Sequence, residues 1–308
     1  MSDDNPVAAI PSEDVTVTAG TNQLHGTVFH PDGTGPHPAI VCVLGSKAAN
    51  YTEYLETDDS SLFRSLVSYF HAQGCSVLFY NKPGVGSSTG DWKRESFHDR
   101  AENVLAAVEY LRARDDIDAE NVGVVGHSQG GWIAQLVGAT YPDSIHFIVT
   151  LAGPSTSVRQ QILDDFESVW TCDGASDRSI RIRSAILSMG LGLLDTIAPV
   201  WKPTYLSHIV GYDPADAIAA ISVPTLALFG ENDRLCPPEP NRRRLEALFG
   251  TDTGSDTDTD TDRLTVHVVS GANHRFHIGD FCGTTESSDG VASELFDVLD
   301  RGVRWNDC

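Results

Sequence analysis

The sequence predicts an α/β protein in which a doubly wound, mostly parallel, eight-stranded sheet carries one helical insertion. Three patterns lead there. Apolar runs at 39–44, 76–80, 122–125 and 224–229 are continuous, as in strands buried on both faces of a parallel sheet. Segments of helical period separate them, so that strand and helix alternate as in right-handed βαβ units. Between 155 and 221 this rhythm stops: the segment is helical in period and holds no clear strand.

In chain order, residues 15–18 alternate, 19–22 turn and 24–29 follow as a second strand, which together read as a hairpin. After the strand at 39–44, a helix at 62–72 stops at Gly74 and a strand at 76–80 follows. The next helix, 97–114, carries a stripe of Ala101, Val104, Leu105, Val108 and Leu111. Then come a strand at 122–125, a helix at 132–140 and a strand at 146–150. Beyond the insertion lie a strand at 224–229, a helix at 239–249, a strand at 264–269 and a closing helix at 291–305. The core is therefore expected in residues 1–154 and 222–308, with 155–221 as a helical lid. The acidic, low-complexity stretch 251–262 cannot bury apolar surface and is expected to be a disordered loop.

Of 308 residues, 43 are acidic and 21 basic, a formal net charge of −22. That field disfavours nucleic acid and anionic lipid as partners. Lysine is scarce (Lys47, Lys82, Lys93 and Lys202), and the acidic, Lys-poor balance resembles proteins of salt-loving organisms, whose charge repulsion is screened by concentrated salt. No apolar run is long enough to span a bilayer, and residues 1–6 lack the basic and apolar regions of a secretory signal. The six cysteines show no Cys-x-x-Cys pair and no zinc spacing, so the expectation is a reduced, cytoplasmic chain without a metal.

The pattern Gly-x-Ser-x-Gly occurs twice, as Gly126-His-Ser128-Gln-Gly130 and as Gly86-Ser-Ser88-Thr-Gly90. In a nucleophile elbow, a sharp strand-to-helix turn exposes the serine, and the glycines stand where side chains would clash. Only the first match follows an apolar strand directly and runs into a helix, so Ser128 is the candidate nucleophile and Ser88 a turn residue. An activated serine needs a base and an acid that orients it. His274 sits just past the strand at 264–269, with His277 as its nearby rival. Asp233 sits just past the strand at 224–229, with Glu231 as competitor. Oxyanion donors are expected from the backbone N–H of Gln129, which follows the nucleophile, and of Ser46, in the loop after 39–44.

The segment Val125-Gly-His-Ser-Gln-Gly-Gly-Trp-Ile-Ala134 resembles the elbow of α/β-hydrolases of the serine aminopeptidase and acyl-peptidase-like esterase group. Tyr80-Asn-Lys-Pro-Gly-Val-Gly-Ser-Ser-Thr-Gly-Asp-Trp92 is similar to that group's Y-D-x-R-G-x-G-x-S-x-G segment. Phe229-Gly-Glu-Asn-Asp233 and Gly271-Ala-Asn-His274 resemble its acid and histidine loops. The resemblance covers residues 12–305 in order and implies the α/β-hydrolase fold, a covalent acyl-enzyme and no cofactor. Two positions depart from the pattern: Leu44-Gly45 stands for the common His-Gly, and Asn81 and Pro83 replace Asp and Arg.

The expected function is hydrolysis of a small carboxylic ester. An aminopeptidase, acyl-peptidase, thioesterase or acyltransferase with the same triad is the alternative, and a non-catalytic ligand-binding protein on the same fold is the reading from another class. The partner is a small-molecule ester or amide; oligomeric state is not legible. Apolar and aromatic residues of the insertion, Trp170, Leu191, Leu194, Trp201 and Tyr205, are candidates for substrate contact.

Overall fold

The computed structural model describes residues 6–46, 50–56, 62–201, 204–250, 259–260, 263–283 and 290–302, the side chains of 6, 198–201 and 259–260 excepted. A short 3₁₀ turn at Pro6–Ala9 leads into the hairpin β1 (Ser12–Ala19) and β2 (Asn22–Phe29). Strand β3 (His37–Val43) is followed by α1 (Tyr51–Glu56), α2 (Leu62–Ala72) and β4 (Ser76–Tyr80). Then come α3 (Phe97–Arg112), β5 (Ile117–His127), α4 (Gln129–Thr140) and β6 (Ile148–Leu151). The insertion holds α5 (Val158–Cys172), α6 (Asp177–Trp201), α7 (Tyr205–Ile209) and α8 (Ala215–Ala220). The chain returns through β7 (Thr225–Gly230), α9 (Pro238–Phe249), β8 (Thr259–Asp260), β9 (Leu264–Val269) and α10 (Ser293–Gly302).

The strands form one sheet in the order β1-β2-β4-β3-β5-β6-β7-β9-β8. From β4 to β9 all neighbours are parallel; β1, β2 and the two-residue β8 pair antiparallel. The eight expected strands are all present, and β8 adds a ninth at the edge. Apart from β8, the acidic stretch 251–262 lies outside the described residues, as does the end of the closing helix beyond 302.

Successive residues of the central strands feed two cores, one on each face. Ala39, Val41 and Val43 pack with α3, α4, α8 and α9, whereas Ile40, Cys42 and Leu44 pack with α1, α2 and α10. This period of two is the geometric consequence of the pleat, and both faces are apolar because helices cover both. The stripe on α3 is buried at Ala101, Val104, Val108 and Leu111, and a Ser96–Asp99 capping box starts the helix. Helix α4 begins three residues earlier than the sequence suggests, and its residues from Gln129 to Gly138 are all buried. A helix enclosed on all sides has no polar face, so its period carries little information about where it starts.

Within the insertion, α5 and α6 pack on each other, while Ile218 of α8 joins the core beneath α4. Helix α6 exposes Ile182, Ile186, Met189, Leu193 and Ile197, whereas Leu191 is buried. The expectation of reduced cysteines needs correction: Cys172, at the end of α5, is disulfide-bonded to Cys282, beyond β9. Thiols 110 residues apart in sequence meet only through the fold, and no local spacing announces them. Cys42, Cys75 and Cys236 are buried. With one pair bridged, the cysteines no longer speak for a reducing compartment. Among the described residues, no helix is long and apolar enough to cross a membrane.

Two outcomes follow. Closing a loop of this length removes about 4–5 kcal/mol of unfolded-chain entropy. Reduction, or the double variant Cys172→Ser/Cys282→Ser, should lower the calorimetric melting temperature by roughly 10 °C at about 2–4 °C per kcal/mol. The second concerns Arg114, which forks onto Asp116 at 2.8 and 2.9 Å and reaches Glu13 at 2.9 Å. The hydrogen bond from Arg114 holds the Asp116 carboxyl below the usual range. Its contribution to stability is complete above the unfolded value of about 3.9 and is lost as pH falls through the lower folded value. Asp116→Asn should therefore melt below the wild type at neutral pH, the gap closing in acid; a pH-independent gap in melting scans would contradict the assignment.

Candidate active site

Strand β5 ends at His127 and helix α4 starts at Gln129, leaving a single residue for the reversal. That residue, Ser128, has φ 55° and ψ −124°, a conformation that is costly for a side chain with a Cβ. Its N–H donates to Leu151 O at 2.9 Å and its carbonyl accepts from Gly131 N–H at 2.8 Å. The flanking glycines are required by space. A Cβ on Gly126 would lie 2.1 Å from Gly130 O, and one on Gly130 would lie 2.1 Å from Val43 O. Ser88, in the rival motif, is buried; its hydroxyl donates to Asn81 O at 3.1 Å and accepts from His25 N–H at 2.9 Å. It is a satisfied turn residue.

Asp233 follows β7 and is fully buried. One carboxylate oxygen, Oδ1, accepts from the N–H groups of Leu235 and Cys236, each at 2.9 Å. The other, Oδ2, lies 2.8 Å from Nδ1 of His274. The two backbone bonds leave the carboxylate one orientation, and the imidazole completes it. Burial, then the charges of Asp233 and Asp164, keep the Cys236 thiol protonated. Glu231 instead accepts from Gly271 N–H at 2.7 Å and so ties the acid loop to the histidine loop. His277 is fully buried, and among the described residues neither ring nitrogen has a partner.

His127 supports the histidine loop from the other side. A carbonyl can only accept, so His127 Nε2 donates to His274 O, at 2.9 Å. Burial first, and then the adjacent His274, pushes His127 down to about 3, which keeps it neutral around neutral pH. Ser128 and His274 line one cavity of about 170 Å³ with Gly45, Ser46, Tyr54, Leu62, Phe63, His127, Leu235 and Arg275. The Ser128 hydroxyl makes no hydrogen bond among the described residues; empty sites commonly hold this link open.

Gln129 is the first residue of α4, where helical amides lack intrahelical partners and the dipole favours negative charge. Ser46 lines the same cavity, in the loop that follows β3. Both expected oxyanion donors are thus next to the nucleophile. The insertion residues are placed differently from expectation. Leu191 is buried, Trp170 lies tilted against Phe166, the ring centroids 5.7 Å apart, and under Arg183, and Tyr205 donates to Gln129 Oε1 at 2.7 Å. None of these, nor Leu194, lines the cavity; the side chain of Trp201 lies outside the described residues. The apolar wall comes instead from Tyr54, Leu62, Phe63 and Leu235. Residues 62 and 63 open a helix whose apolar period is indistinguishable in sequence from a core-facing stripe. Among the described residues, no cluster of three or more His, Cys, Asp or Glu side chains is arranged to hold a metal ion.

Comparison with known proteins agrees with this fold. A family model described as alpha/beta hydrolase fold matches residues 54–171. Esterase EstD of Thermotoga maritima is 25% identical over 243 residues, 78% of this chain and 56% of its own. The alpha/beta hydrolase domain-containing protein WAV2 of Arabidopsis thaliana is 26% identical over 166 residues, 53% of this chain and 46% of its own. The chain thus spans about half the length of these curated relatives. Among solved structures, the Pyrococcus furiosus esterase Pf2001 superposes with a TM-score of 0.60 at 14% identity, covering 96% of this chain and 92% of that one. Est1E of Butyrivibrio proteoclasticus, with ferulic acid bound, also gives 0.60 at 14% identity, covering 93% and 96%. The chain thus has the α/β-hydrolase fold.

Proposed function

We propose that the protein is a serine hydrolase that cleaves a small carboxylic ester through a covalent acyl-enzyme. The observation that carries the reading is the buried Asp233 carboxylate, 2.8 Å from Nδ1 of His274, with that imidazole and the elbow serine on one cavity wall. The Asp233 bond holds the proton on Nδ1 and leaves Nε2 as the base. Ser128 Oγ attacks the acyl carbon while His274 Nε2 takes its proton. The N–H groups of Gln129 and Ser46 receive the negative charge that develops on the carbonyl oxygen. Collapse expels the alcohol, which takes the proton from His274, and a water activated by the same imidazole then hydrolyses the acyl-enzyme. All species balance without a cofactor.

The small cavity with an apolar wall of Tyr54, Leu62, Phe63 and Leu235 supports a short, uncharged acyl group. The esterases among the relatives support an ester over an amide. Helices α5 and α6 are read as a lid, with residues 155–221 as its extent. The charge of −22 and the scarcity of lysine support a protein adapted to salt, so assays belong in molar salt.

A p-nitrophenyl ester chain-length series set beside aminoacyl p-nitroanilides tests the reading. Short-chain esters should be the best substrates. Ser128→Ala should abolish turnover and fluorophosphonate labelling, and failure of the wild type to label would leave a non-catalytic binding protein. Asp233→Asn should keep substrate binding and lower kcat by roughly 10⁴-fold, because the imidazole then settles in the wrong tautomer.

A further inference from the structure

We propose that Lys82 is a positioning residue that sets the oxyanion loop: its amine holds the Gly45 carbonyl from behind and thereby aims the Ser46 N–H into the cavity. The inference rests on the hydrolase reading above and adds a residue to it.

Gly45 C=O and Ser46 N–H belong to one peptide unit. In a trans peptide these two groups point in opposite directions. Fixing where the carbonyl points therefore fixes where the N–H points. Lys82, two residues past β4, donates its Nζ to Gly45 O. Gly45 and Ser46 line the cavity, whereas Lys82 does not. The fit is close: a Cβ built on Gly45 would stand 3.3 Å from Ser128 Cβ and 3.7 Å from its Oγ. A rotated 45–46 peptide would present its carbonyl, an acceptor, where a donor is needed.

The neighbouring carbonyls meet other groups. Val43 O packs against Gly130, and Leu44 O accepts from Arg100 Nη2 at 3.4 Å. Arg100 also donates to the side chain of Gln129, the residue supplying the other expected donor. Lys82 itself is 8% exposed, and its amine stands 5.5 Å from the Trp92 ring centroid. Trp92 in turn contacts Tyr205 of α7, the rings 4.5 Å apart. Burial first, then the charge of Arg100, push the Lys82 amine down to about 6, while Glu95 acts in the opposite sense. A neutral amine keeps its N–H donors, so the bond to Gly45 O does not require the ammonium form.

The test compares Lys82→Met, Lys82→Arg and the surface control Lys93→Met in ester hydrolysis, each normalised by end-point fluorophosphonate titration of competent serines. Trifluoromethyl ketone inhibition is measured on the same samples, because the oxyanion of the hemiketal formed with Ser128 Oγ occupies the same donors. Losing one oxyanion donor costs about 10²–10³ in kcat. Lys82→Met, which leaves the donor present but unaimed, should lose on the order of tenfold or more in kcat, with KM little changed and ketone affinity falling in step. Lys82→Arg, which keeps a donor, should retain more of both, and Lys93→Met should match the wild type. Wild-type kcat and ketone affinity in Lys82→Met would overturn the proposal, as would a loss confined to KM or melting temperature. Should Lys82→Met yield no titratable serine, Lys82→Arg carries the test through the same paired change in kcat and ketone affinity, and unpaired changes overturn it. A wild type that neither labels nor hydrolyses esters removes the hydrolase reading, and this inference falls with it; a wild type that does both isolates the role of Lys82.

Discussion

The site depends on one contact of backbone with backbone: the first turn of α4 packs directly against the end of β3. Gly130 has no room for a side chain above Val43 O, nor Gly126 beneath Gly130 O. That contact brings the helix amides, the loop after β3 and the serine between them into one small volume. The cost is a non-glycine residue at positive φ, of order 1–3 kcal/mol, which persists only where the surroundings over-determine it. Here the N–H and carbonyl of Ser128 are both bonded, to Leu151 and Gly131, and the strands on either side are buried in the centre of the sheet.

Around that point, the other groups are held by hydrogen bonds that cross between loops. Asp233 is oriented by two amides of its own turn and completed by His274. The histidine loop is pinned at three further places. Glu231 takes Gly271 N–H, Glu294 takes Ser270 N–H at 2.9 Å, and His127 donates to the carbonyl of His274. A loop with this many fixed backbone groups can hold an imidazole in one rotamer, which is the condition for a general base to meet its proton.

Among the described residues, the insertion touches this machinery by a covalent route and by a polar one, the latter including Gln161 Nε2 of α5, which donates to Leu235 O at 3.0 Å. One is covalent, from α5 through Cys172–Cys282 to the segment that follows the histidine loop. The other is polar: Tyr205 and Arg100 both donate to the Gln129 side chain, and Tyr205 abuts the Trp92 ring that Lys82 faces. Helices α5 and α6 otherwise pack on one another, joined by Arg159–Asp195 at 3.6 Å. Among the described residues, their apolar side chains divide between a helix–helix seam, the core (Val158 and Ile162) and an exposed stripe, and none lines the cavity.

The sequence alone determined the sheet, its order of strand and helix, and the loops from which Ser128, Asp233 and His274 come. Each rests on a local signal: a continuous apolar run, a helical stripe, or a glycine pair on either side of a serine at a strand end. Where the signal was absent, only the tertiary structure decided. The start of α4 was hidden because an enclosed helix has no polar face. The Cys172–Cys282 bond was hidden because nothing near either thiol in sequence marks its partner. Tyr54, Leu62 and Phe63 read as ordinary core residues because a cavity wall and a core have the same composition. Lys82, in a glycine-rich loop, gave no sign that its amine would be buried against the Gly45 carbonyl. Local chemistry is written in neighbouring residues; the pairing of distant ones depends on how the cores on the two faces of the sheet pack.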